Sequence, residues 1–154
     1  MIKINKKSDS IVIVIHEIYG INQHIKSYCE LLSDQNFDVL CPNLLDKINP
    51  YDYSQEETAY HNFIETVGFT NAVKTIQNLV VELKDDYNKI FIVGFSVGAT
   101  VAWLCSELKY LNGIVGYYGS RIRNYIDIQP KCPTMLYFPE EEPQYSCICV
   151  IHAP

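Results

Sequence analysis

The stretch "KIFIVGFSVGAT", residues 89–100, decides how this chain is read. An aliphatic run, Ile90 to Val93, leads into Gly94-Phe95-Ser96-Val97-Gly98, and Ala99, Ala102 and Trp103 follow at helical spacing. The run reads as a buried strand and the later period as a helix. A G-x-S-x-G sequence between a strand and a helix has the form of a strained turn that lifts a serine out of the sheet. The requirement is steric: with the serine on so tight a turn, the residues two before and two after it must be small. The helix that starts at Val97 adds a dipole favouring negative charge beside Ser96. The competing reading is a glycine-rich turn with an incidental serine. A dinucleotide fingerprint fits less well, because the glycines are spaced G-x-x-x-G, and the lysine of a phosphate loop is absent.

Working outward, apolar runs alternate with helical patterns. The runs are Ile11–Ile15, Phe37–Cys41, Ile90–Gly94, Ile114–Tyr118 and Thr134–Phe138, with Ile2–Ile4 as a weaker edge strand. Between them, Asn22 is placed to cap a helix carrying Ile25, Cys29 and Leu32. Ser54 to Glu57 has the S-x-x-E form of a capping box, and Gly68 is a plausible stop for the helix behind it. A further helix spans about Asn71 to Leu83, and one after Ser96 runs on towards Leu108. Pro42–Tyr53 has no period and reads as an excursion loop walling a pocket. Strands alternating with helices predict an α/β fold: a three-layer α/β/α sandwich on a mostly parallel sheet. The 154 residues fit one domain, residues 1–154, with an atypical tail at 143–154.

A second stretch, "IVIVIHEIYG" at 11–20, ends a strand in His16 and Glu17. A zinc helix of the HExxH kind needs its second histidine at position 20, which is glycine, so that reading fails. A serine elbow needs two backbone N–H groups for the oxyanion, one from the residue after the nucleophile and one from a loop after an early strand. Val97 supplies the first and Ile18 the second, with Gly20 permitting the turn. Glu17 is then expected towards Ser96, and strand alternation sends His16 the other way. A solvated loop carboxylate is the plainer account of Glu17.

The chain carries 12 Lys and Arg against 18 Asp and Glu, a net charge of −6, which argues against nucleic acid or an anionic membrane as partner. The N-terminus MIKINKKSDS has no signal-peptide core, and the longest aliphatic run, Ile11–Ile15, is far too short to span a membrane. Cytoplasmic residence is the expectation. Cys29, Cys41, Cys105 and Cys132 read as small buried hydrophobes. Cys147, Cys149 and His152 lack a fourth partner for zinc and read as an apolar tail segment, so no metal is expected.

Together, HEIYGIN, DVLCPNLL, GFSVGAT and GYYGSR, in this order over roughly residues 10–142, resemble the dienelactone hydrolase family of α/β-hydrolases. The resemblance implies that Ser96 is the nucleophile, where founding members carry cysteine. It implies that Glu17 holds the resting nucleophile and that Ile18 and Val97 donate to the oxyanion. The family's acid lies in a stretch resembling F-G-x-x-D, which here is Phe138-Pro139-Glu140-Glu141-Glu142, so Glu142 takes its place. A solvated acidic loop is the alternative for that segment. The family's histidine comes well beyond the acid, after another helix and strand. The only histidine after Glu142 is His152, with no room for those elements. The expected fold is therefore α/β-hydrolase-like with the last strand and helix missing, leaving an exposed edge that invites a homodimer.

Two functions follow from the same residues. The first is a serine hydrolase cleaving small carboxylic esters or lactones through an acyl-enzyme on Ser96, needing no cofactor. Arg121, after the GYYG run, is placed to bind a substrate carboxylate. Tyr117-Tyr118 reads as packing, and Tyr51, Tyr53 and Tyr60 as a tyrosine-rich pocket wall. The second is a catalytically impaired or truncated hydrolase-fold protein acting as a binding or remnant module. Losing the histidine of a serine triad costs roughly a millionfold in turnover.

Overall fold

In a computed structural model, which describes residues 1–139 and, as backbone, 146–151, seven strands form one sheet. The strands are β1 (Ile2–Ile4), β2 (Ser10–Ile15), β3 (Asp38–Cys41), β4 (Lys89–Phe95), β5 (Gly113–Tyr117), β6 (Thr134–Pro139) and β7 (Ser146–Ile151). Their order is β1-β3-β2-β4-β5-β6-β7. β3, β2, β4, β5 and β6 run parallel, and the outer strands β1 and β7 pair antiparallel. The helices are α1 (Gln23–Asp34), α2 (Glu56–Asn62), α3 (Gly68–Leu83) and α4 (Val97–Leu104), with a π-helical segment, Phe63–Val67, joining α2 to α3.

β2 reads as an unbroken apolar run because both of its faces are covered, the usual state of a central parallel strand. Ile11, Ile13 and Ile15 pack with Phe63, Ile76, Val80 and Val101 from the α3–α4 side. Val12 and Val14 pack with Ile25 and Cys29 of α1 on the other face. Those two helical layers around the sheet are the expected three-layer sandwich. Asn22 caps α1 as its sequence position suggests, its side chain accepting from the Ile25 N–H at 3.1 Å. The four cysteines Cys29, Cys41, Cys105 and Cys132 are buried and unbridged.

Several expectations are corrected. The capping box is built two residues earlier than Ser54: Asp52 accepts from the Ser54 N–H, and Gln55 reaches back to the Asp52 N–H at 3.0 Å. Asp at the cap outcompetes Ser there because a charged acceptor bonds the helix N-terminus more strongly. Gly68, at φ 66°, does end the helical stretch before it, capping the Phe63–Val67 segment as its sequence position suggests, but α3 begins from it directly. α4 ends at Leu104, before Leu108. The tail is not merely an apolar appendage: Ser146–Ile151 adds as β7 along the whole of β6, covering the edge expected to lie open. Among the described residues no helix is long and apolar enough to cross a membrane.

Candidate active site

Ser96 sits between the end of β4 and the start of α4 with φ 55° and ψ −115°, a conformation that costs a non-glycine residue about 1–3 kcal/mol. The surrounding backbone enforces it. A Cβ on Gly94 would lie 2.2 Å from the Gly98 carbonyl oxygen, and one on Gly98 would lie 2.4 Å from the Ile15 carbonyl oxygen. The elbow is thus wedged against β2, and neither glycine position has room for a side chain. Its outcome is exposure: from Ile92 through Trp103, Ser96 is the one residue that is not buried. The Ser96 N–H is occupied by the Tyr117 carbonyl at 2.9 Å, which ties the elbow to β5.

Around Ser96 lies a pocket of about 280 Å³, lined also by Ile18, Glu56, Tyr60, Val97, Thr100, Ser120, Arg121 and Arg123. Ile18 and Val97 therefore line the same pocket as the serine. Val97 opens α4, where the first N–H groups have no partner within the helix. The Ile18 loop is a tight turn: Gly20, at φ 87°, donates to the Glu17 carbonyl at 3.1 Å. The excursion loop does not wall this pocket; Glu56 and Tyr60 of α2 do. Of the tyrosines expected there, Tyr60 lines it, whereas Tyr53 packs edge-on against Tyr19 and Tyr51 lies under the Lys47 ammonium.

His16 is a structural residue. It is 1% exposed. Its Nε2 accepts from the Leu44 N–H at 3.0 Å, which makes Nδ1 the protonated nitrogen, donating to the Glu17 carbonyl at 2.6 Å. Burial drives its pKa down to about 4, so the ring is neutral. It staples the Ile18 loop to the excursion loop and does not line the Ser96 pocket.

Glu17, 8% exposed, accepts from the Tyr118 hydroxyl at 2.9 Å through Oε1, while Oε2 is buried without a partner among the described residues. Tyr118 is the site residue that the sequence reading missed. It sits at φ 47° just past β5. Burial, then the Glu17 charge, raises its phenol pKa, keeping the hydroxyl protonated as a donor. Tyr117 behaves as packing, stacked between Phe95 at 5.1 Å and Tyr137 at 4.9 Å.

Arg121 donates to the Tyr60 hydroxyl at 2.5 Å on the pocket rim, with Arg123 beside it. Thr100 is fully buried, yet its Oγ1 has no partner among the described residues and its side chain lines this pocket. Such a group is a place for a ligand atom or water. Glu142 and His152 lie outside the described residues.

A mostly parallel sheet carrying a serine elbow at the end of a central strand defines an α/β-hydrolase fold. The chain belongs to the dienelactone hydrolase family, whose family model matches residues 2–146. It is 41% identical over 141 residues to the uncharacterized protein YczH of Bacillus subtilis (strain 168), covering 92% of this chain and 69% of that one. It is 26% identical over 118 residues to the carboxymethylenebutenolidase of Pseudomonas putida, covering 71% of this chain and 50% of that one. Among solved structures, a dienelactone hydrolase-like promiscuous phosphotriesterase from metagenomic libraries superposes with a TM-score of 0.57 at 19% identity, covering 71% of this chain and 47% of that one. The chain thus spans about half the length of the carboxymethylenebutenolidase it matches.

Proposed function

We propose that this protein is a serine hydrolase that cleaves small carboxylic esters or lactones through an acyl-enzyme on Ser96. The observation that carries the reading is the elbow: a strained, solvent-reached serine held between two obligatory glycines at a pocket shared with Ile18 and Val97. In the reaction, Ser96 Oγ attacks the carbonyl carbon and its proton passes to a base. The tetrahedral oxyanion is held by the Ile18 and Val97 N–H groups, and the alcohol leaves with a proton. Water then repeats the sequence on the acyl-enzyme. Glu17, steadied by Tyr118 on one oxygen, keeps the other for the resting nucleophile. Arg121 receives an anionic group of the substrate. Glu142 takes the place of the acid.

The second reading is a hydrolase-fold binding or remnant module. It is favoured by His16, the histidine nearest the site in sequence, being a neutral staple rather than a base.

Intact mass after incubation with a fluorophosphonate, beside a Ser96→Ala control, separates the two. One adduct that disappears in the control means an activated serine. No adduct on a folded protein rejects the hydrolase reading in favour of the binding module.

A further inference from the structure

A second, apolar cavity of about 510 Å³ adjoins the Ser96 pocket, and the two share Ser120 and Arg123 in their walls. Its lining is Trp103, Ile122, Ile126, Leu136 and Phe138, with Tyr118 at the side nearest Glu17. Ligand cavities are typically of this size, mostly apolar, with few polar groups that set orientation.

One stripe of α4 joins the two spaces. Thr100 and Trp103, three residues apart, share a face of α4, and Ser96 stands at the N-cap of the same helix. Ser96 and Thr100 line the polar pocket, and Trp103 lines the apolar one. The Thr100 hydroxyl, buried and without a partner among the described residues, marks the pocket end of that face as a place where a polar ligand atom sits. A single unbranched molecule lying along it meets a nucleophile and two arginines at one end and only carbon surface at the other.

We infer that the Trp103 cavity is an acyl site, taking an unbranched apolar chain of medium length whose carboxyl carbon lies at the Ser120–Arg123 junction, facing Ser96. The substrate class is then an ester of a medium-chain acid, and the product carboxylate is drawn to Arg123 as it forms. This rests on the hydrolase reading for its chemistry, but its binding half is separable. Ile126 is 74% exposed at the cavity's lip, an apolar residue where solvent alone would favour a polar one.

Trp103 is the only tryptophan in the chain and stands in the cavity wall, so its emission reports occupancy directly. Butanoate, hexanoate and octanoate are titrated against the whole chain. Burial of each methylene predicts about fourfold tighter binding per added CH₂. Arg123→Gln is expected to weaken octanoate roughly tenfold, the loss of a charged hydrogen bond. Ser120→Phe, at an exposed position in the shared wall, is expected to obstruct the junction and abolish the chain-length dependence. Ile126→Asp, which sets a like charge at the lip, weakens octanoate independently of Ser120. A saturable, chain-length-dependent change that both variants blunt supports the acyl site. Emission unmoved by octanoate, equal affinity for butanoate and octanoate, or affinity untouched by Ser120→Phe and Ile126→Asp overturns it. Fluorophosphonate labelling run in parallel keeps the two ideas apart. A labelled serine with no chain-length dependence removes the acyl site alone. Chain-length dependence without labelling keeps the site and removes the hydrolase reading.

Discussion

Lowering the pH tests whether the Ile18 loop is held by a neutral histidine. His16 accepts from the Leu44 N–H and donates to the Glu17 carbonyl, and burial takes its pKa from 6.5 to about 4. A protonated ring would turn an N–H towards the Leu44 N–H and place a charge in the core. Because the folded pKa lies below the unfolded one, the unfolded chain binds the extra proton first. The stabilisation is therefore complete above the unfolded value and is lost as the pH falls below it. Each pKa unit is worth about 1.4 kcal/mol, so the displacement from 6.5 to about 4 corresponds to roughly 3 kcal/mol in full. Of this, about 2 kcal/mol is expected to disappear between about pH 7.5 and about pH 5. Urea unfolding at both pH values measures it, in wild type and in His16→Gln, whose amide oxygen can still accept from Leu44 but does not titrate there. The loss in wild type should exceed the loss in His16→Gln by most of that amount. NMR of the His16 ring carbon-bound protons, held in place down to about pH 5, gives the same answer without a variant. Parallel losses in the two proteins, together with a ring that titrates near 6.5, would refute a buried neutral imidazole.

The elbow's geometry makes a second prediction: Gly98→Ala, with its Cβ 2.4 Å from the Ile15 carbonyl oxygen, should destabilise by roughly 3 kcal/mol or more in urea melts. Ser96→Gly should do the opposite, raising stability by about 1 kcal/mol as the strain at φ 55° is relieved while fluorophosphonate labelling vanishes. Tyr118→Phe removes the side-chain donor that Glu17 has among the described residues and should cost roughly 1–3 kcal/mol. It should also move the pH profile of Ser96 labelling, which a purely structural phenol would leave in place. Arg121→Gln should raise KM roughly tenfold for esters bearing a second carboxylate and leave neutral esters alone, a contrast read from initial rates on matched substrates.

How legible each part was follows from how local its cause is. β2 and β4 stand out in the sequence because strands buried on both faces are written as unbroken aliphatic runs. The elbow stands out because its steric demand falls on two glycines flanking one serine. The tail at 146–151 was harder, since six residues rich in Cys, Ile and Val are a strand only through pairing with β6. The capping box moved from Ser54 to Asp52 because two overlapping cap signals compete within one turn, and the charged one wins. His16 could be sent away from the site by alternation alone, but its role could not be read. Its partner is the N–H of Leu44, in a loop without any period.

The two tyrosines after β5 show where sequence reasoning parts from structure. Tyr117 and Tyr118 are neighbours with identical side chains, and both read as packing. Tyr117 ends the strand and keeps its pleat, so its ring stacks on Phe95 and Tyr137. Tyr118 turns into the left-handed region at φ 47°, and that single dihedral carries its hydroxyl across the sheet's edge to Glu17. Its N–H still bonds to the Tyr137 carbonyl at 2.7 Å, so the turn does not sacrifice the connection to β6. Ser96 and Tyr118, on adjacent parallel strands, thus leave the sheet at the same edge, each in a conformation that non-glycine residues rarely adopt. Strain of this kind persists only where the surroundings over-determine it. At Ser96 the cause is visible in Gly94 and Gly98. At Tyr118 the partner is a buried carboxylate about a hundred residues earlier in the chain. The phenol and Ser96 are therefore two parts of one strained rim, and relaxing either should be felt at Glu17, which lies between them in the proposed mechanism.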